Sequence, residues 1–379
     1  MRLCLVTSKP TDAVRHGFLP AAARLGLDVV LLTDKPAAYP GSAVVPCDVW
    51  DFRALTDQAA ALAPDAIFTN SDHLQAQTAL AAAYLDLPGK DWCSALRAKN
   101  KTLMRRRLAQ AGAEQVAWAV ITSASSLPPL TYPVVLKPFD GVASEDVVLV
   151  RSAPELAGRC ADLLPRYGRL LAEQYLPGPL RTMETIGDGR VTWAIGGFRT
   201  TLSPPPYFIE ESLTWEPLPS YDHQLRCLAD LGVGFGACHT EFAPGGLIEV
   251  NDRLIGDHCE FLLAAALGVD LFELVLRVHL GEPLPAPPPP VPPVHAVASY
   301  IYAERAGVLV SAPAAGPVDG GEPGVTVSYW PFADVGTRFT KENSNRDYVG
   351  VLTAAGADAA TVTLALSSAR ARCDLEIRE

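Results

Sequence analysis

The chain has 379 residues, of which 49% are hydrophobic and 19% charged, enough apolar material for two or three buried cores and too little charge for a disordered polymer. Its formal charge is −11 and its densest basic run, Lys99 to Arg107, is short, which argues against nucleic acid as a partner. Eight cysteines without a CxxC pair indicate neither a zinc ribbon nor a disulfide framework.

From the N-terminus, Leu3 to Val6, Val29 to Leu32 and Ala66 to Thr69 are short apolar runs. A helical stretch ending at Gly26 lies between the first two, so residues 1 to about 90 read as β-α-β units with a small parallel sheet. No GxGxxG loop accompanies it, so it is not a dinucleotide site. Asn70-Ser71-Asp72 is placed to cap the Ala-rich helix through Tyr84. A single helix is expected from Ser94 to Gln110, stopped by Gly112. Val134 to Lys137 and Val147 to Val150 read as paired strands across the Asp140-Gly141 loop. Leu170 to Leu176 and Thr182 to Ile186 add strands to an α+β region. The segment Phe198 to Pro219, with Arg199, five prolines and the Glu210-Glu211 pair, is expected to wall off a substrate pocket, or else to be a surface Ω-loop. Pro283 to Pro293 holds eight prolines and forms an extended connector, followed by a last α/β unit.

No apolar run reaches the roughly 18 residues of a membrane span, and Met1 to Val6 is too short for a signal-peptide core. A cytoplasmic protein with no membrane partner is expected.

The most informative stretch is His239-Thr240-Glu241-Phe242, a Pro244-Gly245-Gly246 turn, then Leu247 to Arg253. Residues two apart in a strand share a face, so Glu249 and Asn251 project together. An odd-numbered turn would set Glu241 opposite Glu249, His239 opposite Asn251 and Phe242 opposite Ile248, giving one polar and one mainly apolar face. Two carboxylates and an amide oxygen suit a hard divalent ion, and Arg253 adds a planar cation for a phosphate or carboxylate. His239 shares that face but, as a nitrogen donor, is expected behind the ligands. His258 is read as structural. Cys238-His239 and His258-Cys259 can each offer only one ligand to a given face and do not make a zinc set.

Upstream, Lys101, Arg105, Leu108, Ala111 and Gly112 form K-x3-R-x2-L-x2-A-G, and Lys137 ends an apolar strand before a loop with Gly141 and Ser144. Glu173-Gln174-Tyr175-Leu176-Pro177-Gly178 forms a short edge-like segment. In this order and spacing the four blocks resemble the ATP-grasp superfamily of carboxylate-amine ligases. Residues 249 to 258 and 205 to 210 are most similar to its L-amino-acid ligase branch. The resemblance implies a mixed α/β and α+β fold: an N-terminal Rossmann-like pre-ATP-grasp domain (1–93), an ATP-grasp nucleotide- and metal-binding region (94–282), the Pro-rich connector (283–294) and a C-terminal α/β subdomain (295–379).

It also implies roles. Lys101, Lys137 and Ser144 would face nucleotide phosphates. Adenine would lie beside Glu173 against Gln174, Tyr175 and Leu176. Magnesium would bind Glu241, Glu249 and Asn251. Arg253, with Glu241, would serve the reaction, and Arg199, Glu210 and Asp257 would contact substrate. The implied activity is ATP- and Mg-dependent amide formation through an acyl phosphate, releasing ADP, in siderophore or dipeptide-like natural-product biosynthesis. The expected partners are a small-molecule carboxylate and an amine, with a homodimer allowed for. Two departures stand out: Asp146 occupies a position usually held by glycine, and Leu180 one often held by an acid for the ribose. A ligase of nucleotide or cofactor metabolism, a non-catalytic ATP-binding module and a hydroxyl kinase are the alternatives.

Overall fold

The computed structural model describes residues 1–286 and 294–379. Its N-terminal strands Arg2–Val6, Asp28–Thr33, Val44–Pro46 and Ala66–Phe68 form the expected parallel sheet, with Arg2–Val6 between Asp28–Thr33 and Ala66–Phe68. The expected single helix at 94–110 is two, Trp92–Lys99 and Lys101–Ala111. Asn100 breaks it by taking an extended backbone (ψ 104°), and its Oδ1 accepts from the amides of Thr102 and Leu103, both at 3.1 Å. An asparagine that competes for the backbone this way starts a new helix more readily than it continues an old one. The break leaves Lys101 at a helix N-terminus, where the aligned peptide dipoles favour anions. Gly112, at φ 72°, ends that helix in the left-handed region.

A four-stranded antiparallel sheet follows, ordered Trp118–Ile121, Leu170–Gln174, Val134–Lys137, Val148–Val150. The large sheet has ten antiparallel strands. Its main path runs Gly246–Asn251, Phe235–Ala243, Leu180–Asp188, Phe198–Leu202, Glu210–Trp215, His295–Tyr302, Tyr348–Gly356, Thr326–Pro331, Gly316–Val318, and Thr192–Gly196 pairs with Leu180–Asp188. The C-terminal unit is thus continuous with the region before the proline run, joined where Ser212, Leu213 and Thr214 face Ser299, Ala298 and Val297. One core includes Leu3, Leu5 and Leu31 of the first domain, Leu263 and Leu276 of the helices after the hairpin, and Ala298 and Val351 of the last unit. No described helix is long and apolar enough to cross a membrane.

Several expectations change. Phe198 to Pro219 is not an Ω-loop: two of its stretches are strands of the large sheet, paired with each other, and Leu202, Phe208, Glu210 and Leu213 of the segment line the cleft described below. Asp72 makes no cap hydrogen bond and instead pairs with Lys99. His258, by contrast, keeps the structural place expected of it, stacking on Trp330 with centroids 4.9 Å apart and bonding Asp12 at 2.8 Å. Residues 287–293 of the connector lie outside the described residues.

Candidate active site

The Phe235–Ala243 and Gly246–Asn251 strands pair with His239 opposite Asn251 and Glu241 opposite Glu249. The loop, however, is shorter than an odd turn would make it. Ala243 pairs with Gly246 and Phe242 with Leu247, and a bulge beside Glu241 restores the register. Ile248 is the residue left over, so Phe242 does not oppose it. The bulge keeps the acids on one face despite the two-residue loop.

Glu241, Glu249, Asn251 and Arg253 line a cleft of about 190 Å³. Lys101, Lys137, Ser144, Glu173, Gln174, Tyr175 and Leu176 line it too, as do Glu210, Asp257, Tyr300 and Asn345. Of the residues given nucleotide, metal, substrate or catalytic roles from the sequence, Arg199 alone does not line it. It lies at the surface, its Nε 2.8 Å from Glu216.

Each lysine holds a carboxylate that lines the cleft. Lys101 Nζ is 2.7 Å from Glu249 Oε1, and Lys137 pairs with Glu173. Arg105 reaches the same Glu173 through Nε at 2.9 Å, and Glu114 through Nη1 at 3.2 Å. Burial would raise Glu173, but Arg105 and then Lys137 pull it down to about 2. Burial favours neutral Lys101 too, and the Glu249 charge outweighs it. Glu173 is therefore ionised and matched by cations.

His239 lies between two acids. Its Nδ1 is 2.8 Å from Glu184 on the neighbouring strand and its Nε2 3.4 Å from Glu241. Burial opposes the charged ring, but Glu184 and Glu241 push it up to about 10. As an imidazolium it donates from both nitrogens and fixes Glu241, which remains an oxygen donor to the cleft. Lys90 braces the hairpin from behind, donating to Ala237 O at 3.0 Å, Asp252 O at 2.8 Å and Asp252 Oδ1 at 2.6 Å.

The 140–147 loop has a glycine-like backbone built largely without glycine. Ala143, Ser144 and Asp146 have φ of 60°, 52° and 54°, a region costing on the order of 1–2 kcal/mol per residue for an L side chain. Contacts to neighbouring segments hold it there. Asp146 bonds Arg166 at 2.9 Å and Tyr167 at 2.6 Å, and the Asn345 amide donates to Ala143 O at 2.9 Å. Asp146 thus points away from the cleft, which removes the repulsion a phosphate would otherwise meet there. Leu180 does line the cleft. Along the edge segment, the Gln174 and Tyr175 amides are taken by Ala117 O at 2.8 Å and Pro133 O at 3.2 Å, so a main-chain donor to a ligand must come from Leu176.

Glu210 is held by Asn345, whose Nδ2 donates to Oε2 at 3.1 Å while its Oδ1 accepts from the Glu210 amide at 3.1 Å. Burial, then the charges of Glu241 and Asp257, push Glu210 up to about 8. Burial raises Asp257 as well. Glu211 turns the other way, to the Tyr302 hydroxyl at 3.0 Å. The sequence reading missed the roles of Arg105, Glu184 and Asn345. Arg105 lay within the K-x3-R motif, whereas nothing near Asn345 connects it to residues 135 positions upstream.

Two carboxylates and one amide oxygen on a single face suit magnesium, and two buried lysines beside a main-chain edge suit a nucleoside polyphosphate. No family model and no curated protein matches the sequence. Solved structures do. An L-amino acid ligase from Bacillus licheniformis superposes with a TM-score of 0.79 at 21% identity, covering 100% of this chain and 99% of that one. Phosphoribosylglycinamide synthetase from Anaerococcus prevotii gives 0.72 at 13%, covering 100% and 99%. A biotin carboxylase–ATP-analogue complex from Campylobacter jejuni gives 0.72 at 16%, covering 99% and 92%. The chain has the ATP-grasp fold along its whole length.

Proposed function

We propose that the protein is an ATP- and magnesium-dependent ligase that joins a small carboxylate, of an amino or hydroxy acid, to an amine through an acyl phosphate, releasing ADP and phosphate. The observation that carries this is the Lys101–Glu249 pair in the cleft at 2.7 Å. Each member is the other's counter-charge, and a metal–polyphosphate ligand can replace both at once: phosphate becomes the anion for Lys101, and the metal the cation for Glu249. The exchange leaves no buried charge unpaired. Magnesium held by Glu241, Glu249 and Asn251 would supply charge neutralisation on the phosphoryl group in transfer.

The residues of the chain account for the rest. Lys137 and the helix N-terminus at Lys101 attract the phosphates, and His239 fixes Glu241. Arg253 lies beside the donor set, placed to hold the carboxylate being activated or its phosphate. Glu210 and Asp257 in the same cleft are placed to accept from an ammonium. Together with Arg253 they favour a substrate carrying both charges. A setting in siderophore or dipeptide-like assembly rests on the sequence resemblance of 249–258 and 205–210.

The test uses pooled amino and hydroxy acids labelled with heavy oxygen in the carboxylate, with ATP, magnesium and an amine pool. ADP should form only when substrate is present, and one label should appear in inorganic phosphate. Formation of AMP with label-free phosphate would mean adenylation and overturn the proposal. Release of ADP without substrate would point to a nucleotide-binding module.

A further inference from the structure

Behind the hairpin, outside the cleft, three side chains of different chemistry converge. Glu114 Oε1 is 3.0 Å from His223 Nε2 and 3.7 Å from Cys227 Sγ, and Sγ is 3.6 Å from Nε2. Among the described residues these are the one group of three or more acid, histidine and cysteine side chains whose ligand atoms come this close together. We propose that Glu114, His223 and Cys227 bind a divalent ion of the zinc class.

The triangle has the right size. With metal–sulfur bonds of about 2.3 Å and metal–nitrogen or –oxygen bonds of about 2.0–2.1 Å, a tetrahedral site has edges of about 3.6 Å to sulfur and about 3.3 Å between nitrogen and oxygen. His223 and Cys227 are four residues apart on the Asp222–Leu231 helix and so share a face. Glu114 is fixed from outside: Arg105 Nη1 holds Oε2 at 3.2 Å, which leaves Oε1 toward the other two. The Leu247 amide also donates to Oε1, at 2.8 Å, so with the Cys227 thiol and an imidazole N–H three donors crowd one oxygen that has two lone pairs. A cation in their midst displaces the thiol proton to solvent, binds the Nε2 lone pair of the Nδ1–H tautomer of His223, and so relieves the crowding. A thiolate and an imidazole select zinc-class ions over magnesium. The His223 side chain is 42% exposed, which gives an ion a way in, and three protein ligands leave the fourth position to water. Because Glu114 also contacts Arg105 and Leu247, the ion would brace the cleft from behind.

Cobalt(II), which shows a thiolate charge-transfer absorption when bound by cysteine, is titrated into the metal-stripped full chain. One equivalent should bind with that absorption, and zinc should displace it. Cys227→Ser should abolish the absorption. His223→Ala, at a partly exposed site where the fold tolerates truncation, should weaken binding by at least the roughly 10–100-fold that loss of an outer partner costs. Cys238→Ser should leave both unchanged. Absence of the absorption, its survival in Cys227→Ser, or undiminished affinity in His223→Ala would each overturn the site.

Discussion

Replacing Glu173 with glutamine removes one charge from a buried cluster while keeping its shape. In the folded chain Glu173 is 4% exposed and ionised down to a pH of about 2, against 4.5 for a free side chain. At about 1.4 kcal/mol per pH unit this is on the order of 3 kcal/mol of stability. Its sign follows from the depressed pKa: the contribution is complete above pH 4.5 and disappears as pH falls toward 2. Arg105 keeps Glu114 as a partner in the variant, but Lys137, 3% exposed, keeps only a 3.5 Å approach to Ile248 O. A buried cation left in this way costs up to several kcal/mol unless it deprotonates, and burial already holds Lys137 below the usual lysine range. Glu173→Gln should therefore be less stable than the parent by about 3 kcal/mol at pH 7 in urea unfolding, and the difference should shrink on acidification between pH 5 and 2. The apparent Michaelis constant for ATP should rise, because Glu173 sets the position of Lys137. Equal stability of the two proteins at pH 7, or a gap that does not change with pH, would refute the assignment of Glu173 as the charge centre of the cluster.

Glu249→Gln should lower substrate-dependent ADP release by about 10²-fold or more at saturating magnesium. It should also cost on the order of 1–3 kcal/mol in urea unfolding, because Lys101 loses its counter-charge inside the fold; near-normal turnover would remove Glu249 from the metal site. Glu210→Ala should raise the apparent Michaelis constant for the carboxylate or amine about tenfold while leaving that for ATP within twofold, whereas Arg199→Ala, at the surface, should change none of the three. Steady-state kinetics with each ligand varied in turn separates these outcomes.

The hairpin and its facing acids could be read from the sequence because strand periodicity and the need for one polar face constrain the register strongly. The bulge could not, because polar alternation is satisfied equally by an odd loop and by a two-residue loop with one residue left over, and the fold takes the second. Lys101 and Lys137 were found from their places in local motifs. Their counter-ions were not, because Glu173 and Glu249 lie 36 and 148 positions further along the chain and only the fold brings them close. The helix from Ser94 failed as one element because Asn100 is a weak breaker in composition and a strong one once its side chain is free to cap. Arg199 was misplaced for a similar reason: in a segment with five prolines it looked like part of a loop, while its place in a strand between buried Phe198 and Thr200 turns it outward.

The pairing of Glu210–Trp215 with His295–Tyr302 has a consequence for how such proteins can be recombined. Residues 294–379 close an open edge of the main sheet and also contribute Tyr300 and Asn345 to the cleft. Exchanging this portion between homologues would transfer selectivity and strand complementarity together. A graft that preserves the contacts of Asn345 with Glu210 and Ala143 should yield a working chimera with a new substrate range, and one that loses the pairing of Ser212 to Thr214 with Val297 to Ser299 should leave an unpaired strand free to join a neighbouring molecule.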